Sequence, residues 1–445
     1  MTRTGLSITA ALILCSLMLW ACPAAEEPRP LVNVVLISLD NLAADHMGCY
    51  GYGRDTTPFL DALAGQGVLF ENVTAQDTWT LPSHASLLSS RFVAAHGVER
   101  SASRMPAGGL PLLQESLKVG GYHTAAFTTC LFVSETYGFE RGFDHFDYEY
   151  VPAEKVNPKV LDHLAGNAAE PFFLFLHYYD VHHPFTEKNP YGESFGDDHM
   201  PHLMDVLWRL KQLRDMKVGD LTPEQREWLE QTFPNYEVMP LLLAEENRDM
   251  VITAEILLNI SAVYLQKVDS RAMETIMGAY DNGVAYMDLR LAELFEELKK
   301  FPWYAHTIFI ITSDHGEAFN QHPGITGHGG PPFRELARIP LIMVGPGLPR
   351  GARIDDPVMS IDIAPTVLDL AGLRAEKGFQ GLSLMPALGD AAQESSAKFP
   401  DRPILSGSEE TLRLSWQEGD WKLVMSLDMH RAWLFDLSSP EGESK

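Results

Sequence analysis

Apolar positions along the chain fall in continuous runs, and the polar groups that break them recur at the ends. Leu31-Val32-Asn33-Val34-Val35-Leu36-Ile37-Ser38-Leu39 leads into Asp40-Asn41. A run of this kind, with little alternation, fits a strand covered on both faces, as in a parallel sheet between helices. Comparable runs stand at Tyr122–Thr129, at Phe172–Asp180, at His306–Thr312 and at Ile339–Val344, with a shorter one at Val68–Phe70. Helices are predicted from about Pro58 to Gly65, beyond Pro82, from about Ala272 to Lys300, and from Asp362 to about Ala371. Between about 190 and 265 helical patterns such as Thr222–Thr232 dominate, and they read as an insertion or lid. From about Pro403 the pieces shorten to Ile404–Leu405, Trp421–Met425 and Trp433–Leu437, which predicts a small antiparallel subdomain. The fold class is therefore α/β: a mixed sheet sandwiched by helices over 31–400, followed by a subdomain over 401–445.

Chemistry gathers at the strand ends. Asp40 and Asn41 follow one strand, Asp180, His182 and His183 another, and Asp314 and His315 a third. Open α/β sheets place their ligands at such carboxyl ends. Each group alone has a structural reading, as a cap, a turn or a satisfied polar residue; their repetition favours a site. Carboxylate, imidazole and hydroxyl together suit Mg²⁺, Mn²⁺, Ca²⁺ or Zn²⁺. The stretch Thr78-Trp79-Thr80-Leu81-Pro82-Ser83-His84 supplies the hydroxyl. Pro82 belongs in a first helical turn, which places Thr80 just before a helix N-terminus, where an anion is favoured. Thr80 is then either a cap or a nucleophile. A Gly-rich loop, Gln321 to Gly330, adds two histidines, His322 and His328.

Composition narrows the partners. The formal net charge is -26 and 45% of the 445 residues are hydrophobic, so the core is ample and the charge argues against nucleic acid or an anionic membrane surface as the main partner. An anionic substrate stays compatible, because a bound cation reverses the sign locally. Arg3, the apolar run Leu6–Trp20 and the small residues after it have the layout of an export signal over 1–22, followed by a linker at 23–30. Leu19-Trp20-Ala21-Cys22 resembles a bacterial lipobox, which predicts a lipid anchor on Cys22 and a periplasmic or cell-surface location; cleavage after Ala24 or Ala25 is the alternative. Export also permits a disulfide between Cys49 and Cys130.

Taken in order, Asp40, Thr80-Leu81-Pro82-Ser83-His84, Asp314-His315-Gly316-Glu317, Asp362-Ile363-Ala364-Pro365-Thr366 and Asp420-Trp421-Lys422 resemble the sulfatase family of the alkaline phosphatase superfamily. The resemblance spans roughly residues 31 to 440. It implies an alkaline-phosphatase-like core, and a hydrolase or transferase of phosphate or sulfate esters. It implies that Asp40, Asp314 and His315 are metal ligands, with Asn41 a possible fourth, and that Thr80 is both nucleophile and ligand. His182 matches a histidine that contacts the substrate or leaving group, His183 is its neighbour and rival, and His328 lies in a Gly-His-Gly segment similar to one near the family's active site. Lys422 matches a substrate-side Asp-Trp-Lys pattern.

Departures from the family pattern sharpen the expectation. Sulfatases make formylglycine from Cys or Ser in a Cys/Ser-x-Pro-x-Arg motif; here Thr80 and His84 replace the Cys and Arg, so formylglycine is not expected and His84 becomes a candidate substrate contact. Thr128-Thr129 stands where a Gly-Lys pair is usual. Two other readings remain open: a two-zinc phosphodiesterase drawing on Asp180 and His328, and a non-catalytic binding protein on a degenerate scaffold.

Overall fold

The computed structural model describes residues 32–445 except 100, 168–170, 184, 186, 196–208, 211, 214–215, 234–238, 253–269, 323–324, 391–398, 409–411, 428–429, 440–441 and 445. The predicted export signal with Cys22, the linker at 23–30 and much of the insertion at 190–265 lie outside the described residues. The rest falls in one unit, Val32–Lys445.

Among the described residues, eleven strands precede the C-terminal sheet: β1 (Asn33–Leu39), β2 (Val68–Thr74), β3 (His123–Thr128), β4 (His145–Tyr148), β5 (Phe172–Tyr178), β6 (Thr307–Thr312), β7 (Ala318–Phe319), β8 (Thr326–Gly327), β9 (Arg338–Val344), β10 (Ala352–Ile354) and β11 (Val358–Met359). The main sheet has the order β10-β2-β9-β6-β1-β5-β3-β4, with β11 also beside β2. Strands β6, β1, β5, β3 and β4 are mutually parallel where paired, and β9 runs antiparallel between β6 and β2. A two-residue pair, β7 with β8, forms a separate hairpin.

The continuous apolar runs are explained by helices on both faces. Along β1, Val34 and Leu36 enter one core with Leu81, Ala85 and Leu88 of the helix Thr80–Ser89. The intervening Val35, Ile37 and Leu39 enter the other. There they meet Leu60 and Leu63 of the helix Pro58–Ala64, Val156 and Val160 of Ala153–Asn167, and Tyr280, Met287 and Leu291 of Ser270–Leu298. Period-2 strand geometry sends neighbours to opposite faces, so a strand clad on both sides loses its sequence alternation. Truncating Leu88, which is fully buried on the site helix, would cost about 2–5 kcal/mol by cavity formation.

The C-terminal sheet is antiparallel, in the order β12 (Ile404–Ser408), β13 (Arg413–Glu418), β14 (Trp421–Ser426), β15 (Arg431–Asp436). Here alternation returns: Val424 and Phe435 are buried against Phe333 and Leu336, whereas Trp421 and Leu434 are exposed. Cys49 and Cys130 are free thiols. Within the insertion, the helix Pro223–Thr232 starts from a reciprocal Thr222–Gln225 capping box with proline in its first turn.

Candidate active site

The carboxyl ends of β1 and β6 form the floor. Asp40 follows β1 and is fully buried, and Asn41 adopts φ +69°, a left-handed backbone that turns the chain away from the sheet. Asp314 and His315 follow β6 in the same way. At Gly316 any Cβ would come within 2.1 Å of the Glu335 carbonyl oxygen, so only glycine lets this turn pack. The Asp314 Oδ1 accepts from the Asn41 N–H at 3.0 Å and the His315 N–H at 2.9 Å, locking the two strand ends together.

Ligand atoms of Asp40, Asp314 and His315 lie within 4.8 Å of one another. Asp40 Oδ1, Asn41 Oδ1 and Asp314 Oδ2 are buried without a hydrogen-bond partner. Orphaned buried oxygens are costly unless something satisfies them. Burial and the neighbouring Asp314 push the Asp40 carboxyl up to about 7, whereas burial of Asp314 is outweighed by His315 and His84, which hold it below the usual carboxylate range. The His315 Nδ1–H donates to the Gly316 carbonyl at 3.0 Å, leaving the Nε2 lone pair toward Asp314 Oδ2 at 3.4 Å. Two acceptors facing each other across that gap call for a cation between them, so the residues present fit a divalent ion.

The sequence places Thr80 just before a helix; the structure makes it the first helical residue. Trp79 is the N-cap, and no side chain caps this helix. Pro82 still lies in the first turn, where its missing N–H costs nothing, and Ser83 N–H makes the first bond back, to Trp79 O at 3.2 Å. The Thr80 hydroxyl is therefore not a cap: it faces His315 Nε2 at 3.4 Å. His84 lies one turn on, fully buried. Its Nδ1–H donates to the Thr80 carbonyl at 2.9 Å, and its Nε2 accepts from the Ser38 hydroxyl at 2.9 Å. Burial lowers its pKa, so this neutral ring with both nitrogens engaged braces the turn that carries Thr80.

Facing the floor is a group of imidazoles on loops. The His182 Nδ1–H donates to the His183 carbonyl at 2.9 Å, and its Nε2 is met by the Tyr179 hydroxyl at 3.1 Å and by His328 Nε2 at 3.3 Å. His328 also stacks on His315, with ring centroids 4.8 Å apart, and its Nδ1 faces Glu317 Oε2 at 3.2 Å. Burial drives His182 well below the ordinary histidine range, assisted by His183 and His328. Burial acts the same way on His328, but Glu317 overcomes it and raises the His328 pKa. The loop is pinned to the segment that leads into the Thr80 helix, because Gly329 N–H donates to Thr78 O at 2.7 Å and the Thr78 hydroxyl donates to Gly330 O at 2.8 Å. His183 is exposed at the rim.

Asp40, Asn41, Thr80, His84, Asp314, His315, His182, His183 and His328 are thus brought together. Lys422 is held elsewhere: its amine pairs with Glu443 at 2.6 Å on the inner side of the C-terminal sheet. Asp180, invoked for a second zinc, accepts from the Ala153 N–H at 2.8 Å and so holds the start of the helix Ala153–Asn167. Sequence reasoning missed His177, whose Nε2–H reaches Asp40 Oδ2 at 3.1 Å, and Glu317. A signal for His177 existed: Ser38, His177 and Thr312 interrupt three apolar runs at one register level of the sheet.

A mixed sheet between helices, with this floor at its strand ends, defines a hydrolase of the alkaline-phosphatase-like type. Residues 32–373 match the family model for sulfatases, and the chain belongs to the sulfatase family. It is 25% identical over 429 residues to an N-acetylglucosamine-6-O-sulfatase of Bacteroides thetaiotaomicron, covering 85% of this chain and 75% of the relative. A Delta 4,5-hexuronate-2-O-sulfatase of the same organism is 23% identical over 397 residues, covering 84% and 75%. Among solved structures, one in complex with its substrate D-glucosamine-2-N,6-O-disulfate superposes with a TM-score of 0.64 at 20% identity, covering 92% of this chain and 91% of that one. The phosphonate monoester hydrolase of Agrobacterium radiobacter gives 0.65 at 19% identity, covering 92% and 89%. The chain is accordingly a sulfatase-family hydrolase of ester bonds, in a family that is generally metal-dependent.

Proposed function

We propose that this hydrolase, or transferase, is metal-dependent, acts on anionic esters and uses Thr80 as its nucleophile. The observation that carries the reading is the Thr80 hydroxyl, which caps nothing and faces His315 Nε2 at 3.4 Å beside the carboxylate floor. A divalent ion held by Asp40, Asp314 and His315, with Asn41 and Thr80 as further oxygen donors, would lower the hydroxyl's pKa and neutralise the ester's oxygens. With its proton lost to solvent water, the Thr80 Oγ1 alkoxide attacks phosphorus or sulfur in line, forming a threonyl ester as the bond to the leaving oxygen breaks. First-turn N–H groups of the helix stabilise the equatorial oxygens. His328, whose raised pKa keeps a proton at hand beside the neutral His182, gives that proton to the leaving oxygen. Water or an acceptor alcohol then attacks the same atom and cedes its proton to the histidine, and Oγ1 departs with its bonding pair.

Threonine favours phosphate over sulfate esters, because a threonyl sulfate lacks the release route that a formylglycine hydrate provides; with Thr80 and His84 in place of the Cys and Arg of the conversion motif, no formylglycine is expected at residue 80. Assays in parallel on aryl phosphate, phosphodiester and aryl sulfate, with metal restored after chelation, test the reading. Turnover that survives Thr80→Ala would overturn the nucleophile, and bound metal with no turnover on any ester would leave a binding protein. We also propose export with a lipid on Cys22, which predicts that Cys22→Ser releases the protein from membranes.

A further inference from the structure

We infer that Glu317 is a positioning residue for both halves of the site, setting the Asn41 amide on one side and the His328 ring on the other. The inference deepens the metal-dependent reading and rests on it. Glu317 directly follows Gly316 and is only 3% exposed. One of its oxygens, Oε2, accepts from both Asn41 Nδ2 and His328 Nδ1. A carboxylate can only accept, so it fixes which end of the amide faces it and which ring nitrogen carries hydrogen toward it. On the first side Oδ1 of Asn41 becomes the outward end, and that oxygen is buried and unpartnered. On the second, Nε2 of His328 is turned to His182 Nε2, 3.3 Å away.

Chain geometry makes the arrangement coherent. Glu317 immediately precedes β7 and His328 immediately follows β8, so their contact closes the base of the β7–β8 hairpin. A partner that orients a ligand is commonly worth about 10–100-fold in metal affinity or activity.

The test compares Glu317→Leu, which removes the acceptor, with Glu317→Gln, whose carbonyl can still accept both bonds. Mn²⁺ is titrated calorimetrically into chelator-treated full-length protein, and kcat is measured on aryl phosphates of graded leaving-group basicity. Expected for Glu317→Leu is Mn²⁺ binding about 10–100-fold weaker, with kcat falling most for the most basic leaving groups. Glu317→Gln should stay within a few-fold of wild type on both measures. If Glu317→Leu lowers thermal stability alone, the residue merely closes a hairpin and the inference is overturned. If Glu317→Gln is as impaired as Glu317→Leu, charge rather than orientation is what matters, and it is again overturned. Should Glu317→Leu not fold, ¹⁵N spectra of wild-type imidazoles, with His328 assigned by His328→Gln, still decide: a bare His328 Nδ1 refutes it. Wild-type protein that takes up no Mn²⁺ overturns the metal reading itself, a result distinct from every variant outcome.

Discussion

The two walls of the site are built differently. Asp40, Asp314, His315 and Thr80 stand at the ends of strands or the start of a helix, at 2% exposure or less. His182, His183 and His328 stand on loops, and they grow more exposed toward the rim. The first wall inherits its geometry from parallel strands clamped in register, and its hydrogen bonds run from one strand end to the next. The second is held by side chains that grip other side chains and by two bonds to the Thr78 segment. On the proposed reading, the nucleophile and the metal ligands sit on the rigid wall, and the acid that serves the leaving group sits on the adaptable one.

Substitutions should separate these walls by size of effect. On the rigid wall, Thr80→Ala should lower kcat by about 10³-fold or more, as loss of a nucleophile does, with Thr80→Ser recovering much of it; steady-state kinetics on an aryl phosphate measure both. Residual activity in Thr80→Ala near wild type would erase the distinction. On the adaptable wall, His328→Ala should cost about 10²–10⁴-fold with a basic leaving group and far less with an acidic phenol. Equal losses across that series would place His328 with the rigid wall.

Chelation should loosen the rigid wall selectively. A ligand present at a hundred times its dissociation constant contributes about 2.7 kcal/mol, so removal should lower the unfolding midpoint, and activity should return on metal add-back. A midpoint indifferent to chelator would contradict the cation expected among Asp40, Asp314 and His315.

The smallest effect concerns the support of the site helix. Ser86, on that helix, shares a 2.8 Å hydrogen bond with His96 Nε2, while His96 Nδ1 accepts from the Val98 N–H. Burial, with Arg91 nearby, pushes the His96 pKa down to about 4. Its folded value is below the unfolded one, so its stabilising contribution is intact above about pH 6.5 and is lost as pH falls from there through about 4. The slope is at most about 1.4 kcal/mol per pH unit. Denaturant unfolding from pH 7 to pH 4 should show a shallower decline in His96→Gln than in wild type, and identical slopes would remove His96 from the account.

Legibility followed the same division. The clad strands of the rigid wall announce themselves as unbroken apolar runs, and each run ends on its chemical group, so Asp40, Asp314 and His315 could be read directly. Short elements escaped: β4, β13 and the β7–β8 hairpin are too brief or too mixed in polarity to show a period. The helix Ala153–Asn167 was hidden by Pro158 in its interior. Glu317 and His177 were passed over for a different reason, since the level that His177 shares with Ser38 and Thr312 shows only once the strands are paired. Their importance lies in what they touch across 11 to 276 positions of sequence, and no local pattern encodes a partner that far away. His84 and Lys422 carry suggestive motifs, yet burial and pairing give each a partner that the motif alone could not reveal.

The left-handed turn at Asn41 restricts what can follow the first strand. Most side chains resist that backbone, while glycine, asparagine and aspartate accept it. Two of those three also carry an oxygen suited to a cation. The backbone thus acts as a filter on substitution before any chemistry is selected: random change at position 41 is funnelled into a tiny alphabet already enriched in ligands. Such a position can exchange one oxygen donor for the other while its main-chain path stays fixed.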